Sequence, residues 1–269
     1  MTTHDTRAFA PETAQPRHIT DRARDSVRSA REDARAKITQ AITDVAREHL
    51  SDVGPANLSL RAVARDLDMA SSAVYRYFKN RDELLTALIF DAYHDLGDVA
   101  EETAASLSSQ LSPRHKWVEV AVAVRAWAVE HPHEFALIYG SPIPGYAGPQ
   151  ETHTAASRMP LALVGVVRDA VNRDEFHRPA DHHHADQCSI CATKAEQKPN
   201  IPSHVLAPEV REIVPEMDDA VILQMVKAWA GLLGIVSFEI FGYLERAVTD
   251  SEAYFRHIAD QVAWELGLD

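Results

Sequence analysis

A chain of 269 residues, 46 % of them hydrophobic, is long enough for a small head and a larger body, each with its own core. Its formal net charge of −13 speaks against nucleic acid only until the charge is placed: residues 1–90 hold 14 Lys and Arg against 13 Asp and Glu, whereas residues 91–269 hold 13 against 27, so the acid lies in the body. Cys188 and Cys191 are too few for a disulfide framework, and the polar, charged start has no apolar stretch of signal-peptide type, so the expected compartment is the cytoplasm.

Apolar spacings of three and four recur through the chain, while no long run alternates apolar with polar, so the predicted class is all-α without internal repeats. Residues 1–30 show no apolar face and are expected to be a flexible arm, with Arg17, Arg22, Arg24 and Arg28 either solvated or reaching a minor groove. A first helix is predicted from about Arg31, with Ile38, Ile42, Val45 and Ala46 on one face, ending at Asp52–Pro55. Ser59 is placed as the N-cap of a short second helix burying Leu60, Val63, Ala64 and Leu67, followed by a turn at Asp68, Met69 and Ala70. A third helix over Ser71–Phe78 and a long fourth one from Asn80 or Asp82 through Leu84, Leu85, Leu88 and Ile89 complete a head of residues 31–81 and open a body of residues 82–269. Further helices are predicted at Pro113–Glu130, after Pro132, at Glu151–Asp174, at Pro215–Arg246 and at Ser251–Leu266. The Pro- and Gly-rich stretch Ser141–Pro149 interrupts them, and a polar, His-rich insertion fills 175–206. Ala220–Leu244 is apolar enough to raise a transmembrane question, but Gln224, Lys227 and Glu239 interrupt it, which favours a core or subunit-interface helix and no membrane partner.

Two short helices joined by a three-residue turn, the second opening with small polar residues, suit insertion into a major groove. The stretch from Leu58 to Leu84, with its Tyr-x-Tyr-Phe and Asn-Arg-Asp-Glu-Leu elements, resembles the signature of the tetracycline-repressor (TetR) family. The resemblance implies a dimeric regulator of transcription, a repressor with an activator as the alternative, that binds a palindromic operator and is released by a small-molecule effector. Carried over by position, it makes Ser71, Ser72 and Ala73 groove-facing, Tyr75, Tyr77, Lys79 and Arg81 backbone-binding, and Arg61 able to reach a base. The residue chemistry agrees, since Tyr, Lys and Arg donate to phosphates while Ser and Ala permit close approach to base edges. Val74 and Phe78 are expected in the core. Two departures stand out: Asp68 replaces the usual Gly and is expected to strain the turn, and Ala70 replaces a capping Ser, a role that Ser71 is expected to assume.

In the body, the runs Trp127–Tyr146 and Trp229–Gly242 are similar to a branch of that family named for a Trp-His-Gly pattern, with Leu233 in place of the His. The resemblance implies an apolar effector pocket and pairing of subunits through the last two helices. Trp127, Phe135, Tyr139 and Trp229 are candidates to line the pocket, the alternative for each being plain core. Gly231 and Gly234 inside a helix mark a surface that a neighbouring backbone approaches, at the dimer seam or the pocket wall.

The segment from Asp181 to Cys191 concentrates imidazole and thiol groups. His182, His184, Cys188 and Cys191 are candidate zinc ligands, although a single Cys-x-x-Cys is a weak signal and the alternative is a polar insertion binding nothing. No cofactor is otherwise required. A metal- or thiol-dependent enzyme or sensor is the competing class, but no Gly-rich phosphate loop, Gly-x-Ser-x-Gly elbow or His-Glu-x-x-His helix accompanies the segment, so a regulator rather than an enzyme is expected.

Overall fold

The computed structural model describes residues 17–177, 205–215 and 217–269, with side chains from residue 24 onward. Ten α-helices and one 3₁₀ turn build these residues, and the one β-bridge among them joins Phe176 to Leu268. The head comprises α1 (Arg17–Val53), the 3₁₀ turn Pro55–Asn57, α2 (Leu60–Asp66), α3 (Ser71–Val74) and the start of α4 (Arg81–Ser106).

α1 begins at Arg17, so the flexible arm and the helix start near Arg31 are both corrected for residues 17–30. That stretch has no apolar face, but continuation of a helix needs none. Residues 17–30 hold four Arg and two Ala without an internal Gly or Pro, and they propagate from a half already nucleated by packing. α3 is also shorter than Ser71–Phe78; two overlapping turns, Tyr75 N–H to Ser71 O at 3.1 Å and Phe78 N–H to Val74 O at 3.1 Å, carry the chain on. The head core includes Ile42, Ala46 and Leu50 of α1, Leu60, Val63 and Ala64 of α2, Val74, Phe78, and Leu84, Leu85, Leu88 and Ile89 of α4. Because α4 supplies four of these residues and runs on into the body, the expected boundary between 81 and 82 falls inside one shared structural unit.

The body packs α5 (Pro113–Glu130) against α4, α7 (Glu151–Asn172) and α10 (Ser251–Leu266), with α6 (Pro132–Tyr139) beside α4. Trp117, Val120, Phe135, Val167, Phe255 and Ala263 are among its most buried residues. α5 and α10 run antiparallel, clipped by Arg114 to Asp260 and by Arg256 to Glu119. A short α8 (Pro208–Ile213), which periodicity does not disclose, precedes α9 (Asp219–Ile240). Arg125 of α5, almost fully buried, donates to Glu239 of α9 at 2.8 Å.

α9 is long and apolar enough to cross a membrane. Its Val221, Ile222, Met225, Ala228, Leu232 and Val236 are instead packed within the protein. It ends six residues before the expected Arg246, in a turn where Gly242 adopts φ 77°. The opposite face is open: Gly231 and Gly234 have nothing within 4 Å of where a β-carbon would stand, and Phe238 and Phe241 are half exposed.

Candidate nucleic-acid interface

The helix-turn-helix is held from behind. Leu60, Val63 and Ala64 of α2 and Val74 of α3 face the head core, which turns the opposite sides of both helices outward. The turn between them closes by Met69 N–H to Ala64 O at 2.8 Å and requires Asp68 at φ 52°, the left-handed conformation expected of the missing Gly. Ser59 and Ala70 occupy the N-cap positions of α2 and α3, and neither helix receives a side-chain cap. Ser71 therefore does not assume the cap, because it is already the first residue of α3.

Of the residues expected at the DNA surface, Arg61, Ser72, Tyr75 and Lys79 are exposed, with Tyr75 at 41 %, and Ser71 and Ala73 are half-buried beside them. These six lie on the outward side of α2, α3 and the following turn. Tyr77 sits back, half-buried against the head core, with the Arg35 guanidinium 5.1 Å from its ring centre. Arg81 is drawn furthest into structure: it donates to Pro55 O at 2.6 Å and pairs with Asp82, which locks the 3₁₀ turn to the start of α4. Asn80 caps α4 by accepting from Glu83 N–H at 2.8 Å, while Glu83 accepts from Lys79 N–H at 2.8 Å, so the segment after α3 is fixed in both directions. An ordered frame of this kind suits a groove-reading helix, whose register is set by backbone contacts.

Of the four aromatic residues expected at an effector pocket, Trp127 and Phe135 are buried in the body core, and Tyr139 and Trp229 pack partly buried against it. Phe135 and Tyr139 have ring centres 5.3 Å apart, and Tyr93 of α4 meets Tyr139 edge-on at 6.1 Å. The Tyr139 hydroxyl and the Trp229 indole N–H are buried without a hydrogen-bond partner among the described residues. Burial pushes the Tyr139 pKa up and the neighbouring Tyr93 adds to the shift, while the Trp229 N–H, near the hydroxyl but short of hydrogen-bond geometry, opposes it. A separate open cleft of about 890 Å³ lies between the start of α5 and the end of α7, lined by polar groups that include Lys116, Asp169, Arg173 and Asp269. His182, His184, Cys188 and Cys191 lie outside the described residues, among which no group of three His, Cys, Asp or Glu is placed to hold a metal ion.

Sequence reasoning missed the Arg81–Pro55 lock and the Arg35–Tyr77 contact. Both join residues distant in sequence, and no local spacing announces them.

The profile of bacterial regulatory proteins of the tetR family matches residues 42–88, and that of the tetracyclin repressor-like C-terminal domain matches residues 117–262. HTH-type transcriptional regulators of Mycobacterium bovis (Mb1846) and Mycobacterium tuberculosis (Rv1816) are each 37 % identical over 227 residues, which cover 84 % of this chain and 90 % of theirs. Among solved structures, the regulatory protein SCO4313 superposes with a TM-score of 0.61 at 27 % identity, covering 86 % of this chain and 97 % of that one. The TetR family regulator PfmR of Thermus thermophilus shares the fold, at a TM-score of 0.52 and 15 % identity over 82 % of this chain and 96 % of its own. With an outward-facing helix-turn-helix on a helical body and these likenesses along most of its length, the chain belongs to the TetR family and is a DNA-binding transcriptional regulator, not an enzyme.

Proposed function

We propose that the protein is a cytoplasmic, ligand-responsive repressor that binds a palindromic or near-palindromic operator as a homodimer and is released by an apolar or amphipathic small molecule. The observation that carries this reading is the position of α6. Its Phe135 belongs to the body core while its Leu137, two residues on, is buried in the head core, and Ile138 packs against both. Tyr93 of α4 donates to Ile138 O at 3.3 Å, and Thr86 of α4 lies 2.9 Å from the Tyr146 hydroxyl just beyond α6. A ligand that displaced Tyr139 would therefore move a helix that the DNA-binding head uses as part of its own core.

Pairing of two chains through α9 is supported by its open face, where Lys227, Gly231, Gly234, Phe238 and Phe241 recur at spacings of four, three, four and three. Two such faces, apolar or small at every position but one, bring backbones close and hide the half-exposed phenylalanines. A two-fold pair of heads then meets two half-sites in opposite orientation.

Selection of bound sequences from random DNA tests this reading. Inverted pairs of half-sites are the expected product, and a single unrepeated half-site would refute the dimer. For release, the effector must bind the DNA-free state more tightly, so its affinity must fall when operator is saturating. Equal affinity with and without operator would overturn the mechanism.

A further inference from the structure

Residues 24–37 of α1 are all exposed, and they belong to the most basic stretch of an acidic chain. Residues 17–37 hold seven Lys and Arg against four Asp and Glu, while the whole protein carries −13. Arg24, Arg28, Arg31 and Arg35 follow at spacings of four, three and four, which place them on one helix face. Ile38 and Ile42 extend the same stripe by three and four residues, and Ile42 is fully buried in the head core. A single face of α1 thus changes from apolar to arginine where the helix leaves the head.

Arg35 marks the place of that change, because its guanidinium lies over Tyr77, the residue that closes the turn after α3. Arg24 is 11 residues further out, about 16 Å along the helix axis. Arg24 and Arg31 are exposed and have no ion-pair partner among the described residues. Among the same residues Arg28 pairs only with Glu32 one turn away, with both side chains mostly solvated, a contact of little energy.

We infer that the N-terminal half of α1 is a second DNA-binding element, a basic helix whose Arg24, Arg28 and Arg31 contact the phosphates flanking the half-site that α3 reads. The inference rests on the reading that α3 faces DNA. A helix about 10–12 Å across does not enter a minor groove about 6 Å wide, so these arginines meet the backbone rather than base edges. The guanidinium fork matches phosphate geometry, and its contacts carry no sequence information. The acidic body repels DNA, so a basic extension beyond the head adds attraction only where the duplex continues past the half-site.

The test uses the full-length protein with Arg24, Arg28 and Arg31 all changed to Gln, a residue of similar helix propensity. Binding is measured against salt on three probes: a random-sequence duplex, a duplex bearing selected half-sites with long flanks, and the same duplex trimmed at the half-site edges. On both long duplexes the slope of log Kobs against log salt should fall by about 3 per head, with affinity at moderate salt reduced about tenfold or more. On the trimmed duplex wild type and variant should bind alike, and selected sequences should be the same for both. Arg→Lys at the three positions should restore most of the slope. An unchanged slope on the long duplexes, an altered sequence preference, or failure of the lysine variant to restore binding would each overturn the inference. Tyr75→Phe serves as the separate check on α3: if it binds every duplex as well as wild type does, the assignment of the α3 face is what fails.

Discussion

Gly97 of α4 lies directly against Arg158 of α7, so close that a β-carbon at position 97 would stand 2.9 Å from the Arg158 β-carbon. The near contact lets the Arg158 guanidinium reach back over α4 to Asp98 at 2.6 Å, to Glu101 and to His94 Nδ1 at 2.9 Å. Gly97→Ala gains helix propensity of about 1 kcal/mol but must push apart two helices at a point where the clash is with the stem of Arg158, not its flexible end. A net loss of about 1–2 kcal/mol is expected in urea unfolding. A stabilised variant would show that α7 yields at no cost.

Arg125 and Glu239 form the most buried ion pair described in the body, with side-chain exposures of 9 % and 14 %. Removing one partner leaves the other charge uncompensated, since the next carboxylate, Glu252, is 3.9 Å away and mostly solvated. Glu239→Ala should cost about 3 kcal/mol, whereas replacing both residues, Arg125→Met with Glu239→Leu, should cost far less. Equal losses in the single and double variants, measured by urea midpoint, would contradict this account.

The clips between α5 and α10 make a pH prediction. The Arg114 guanidinium holds the Asp260 carboxyl below its ordinary 3.8, and Arg256 holds Glu119 below its ordinary 4.5. A depressed carboxyl contributes stability that is fully present above the unfolded value and is lost as pH falls through the folded one. The deficit of Asp260→Asn relative to wild type should therefore be constant above about pH 5 and shrink as pH falls below about 4. Its size at neutral pH is about 1 kcal/mol or less, because both partners remain substantially solvated. A deficit that grows on acidification would contradict the assignment.

How much of this was legible in the chain depended on whether a feature is local. The helix-turn-helix was readable because Leu60, Val63, Ala64, Val74 and Phe78 are spaced for one buried side, and each is buried. The start of α1 was not, because its 17–36 half has no apolar face and stands on propensity and on continuity with Ile38 and Ile42. Arg81 read as a phosphate donor; its use on Pro55 O depends on a 3₁₀ turn 26 residues earlier. The aromatic set Trp127, Phe135, Tyr139 and Trp229 rests on the family resemblance of two runs, and only the fold separates the two core residues from the two whose polar atoms lack a partner among the described residues.

Asp68 also follows from a local reading. Its φ of 52° places a non-glycine residue in the left-handed region, in the turn that aims α3. Asp68→Gly removes a strain of about 1–2 kcal/mol and adds unfolded-state entropy of about 0.4–1 kcal/mol, so the head should gain about 0.5–1 kcal/mol. Thermal unfolding of the variant checks this, and a lower midpoint would mean that the aspartate is not strained there.

The last prediction concerns Tyr139. Among the described residues its hydroxyl is buried without a partner, and so is the indole N–H of Trp229. Were Trp229 to close onto the tyrosine oxygen, the tyrosine proton would still have no acceptor among the described residues. An unmet buried donor costs about 1–3 kcal/mol, and a molecule supplying an acceptor oxygen there recovers part of it on binding. Tyr139→Phe should therefore leave the unliganded protein as stable as wild type, or more stable by about 1 kcal/mol, in contrast to the loss of similar size expected if the hydroxyl were bonded. The same variant should bind an acceptor-bearing effector about tenfold more weakly while retaining operator affinity, because Tyr139 belongs to the body side of α6 and Leu137 to the head side. Urea unfolding and effector titration read the two effects separately. A destabilised Tyr139→Phe would show that the hydroxyl is satisfied in the free protein, and an unchanged effector affinity would remove Tyr139 from the ligand site.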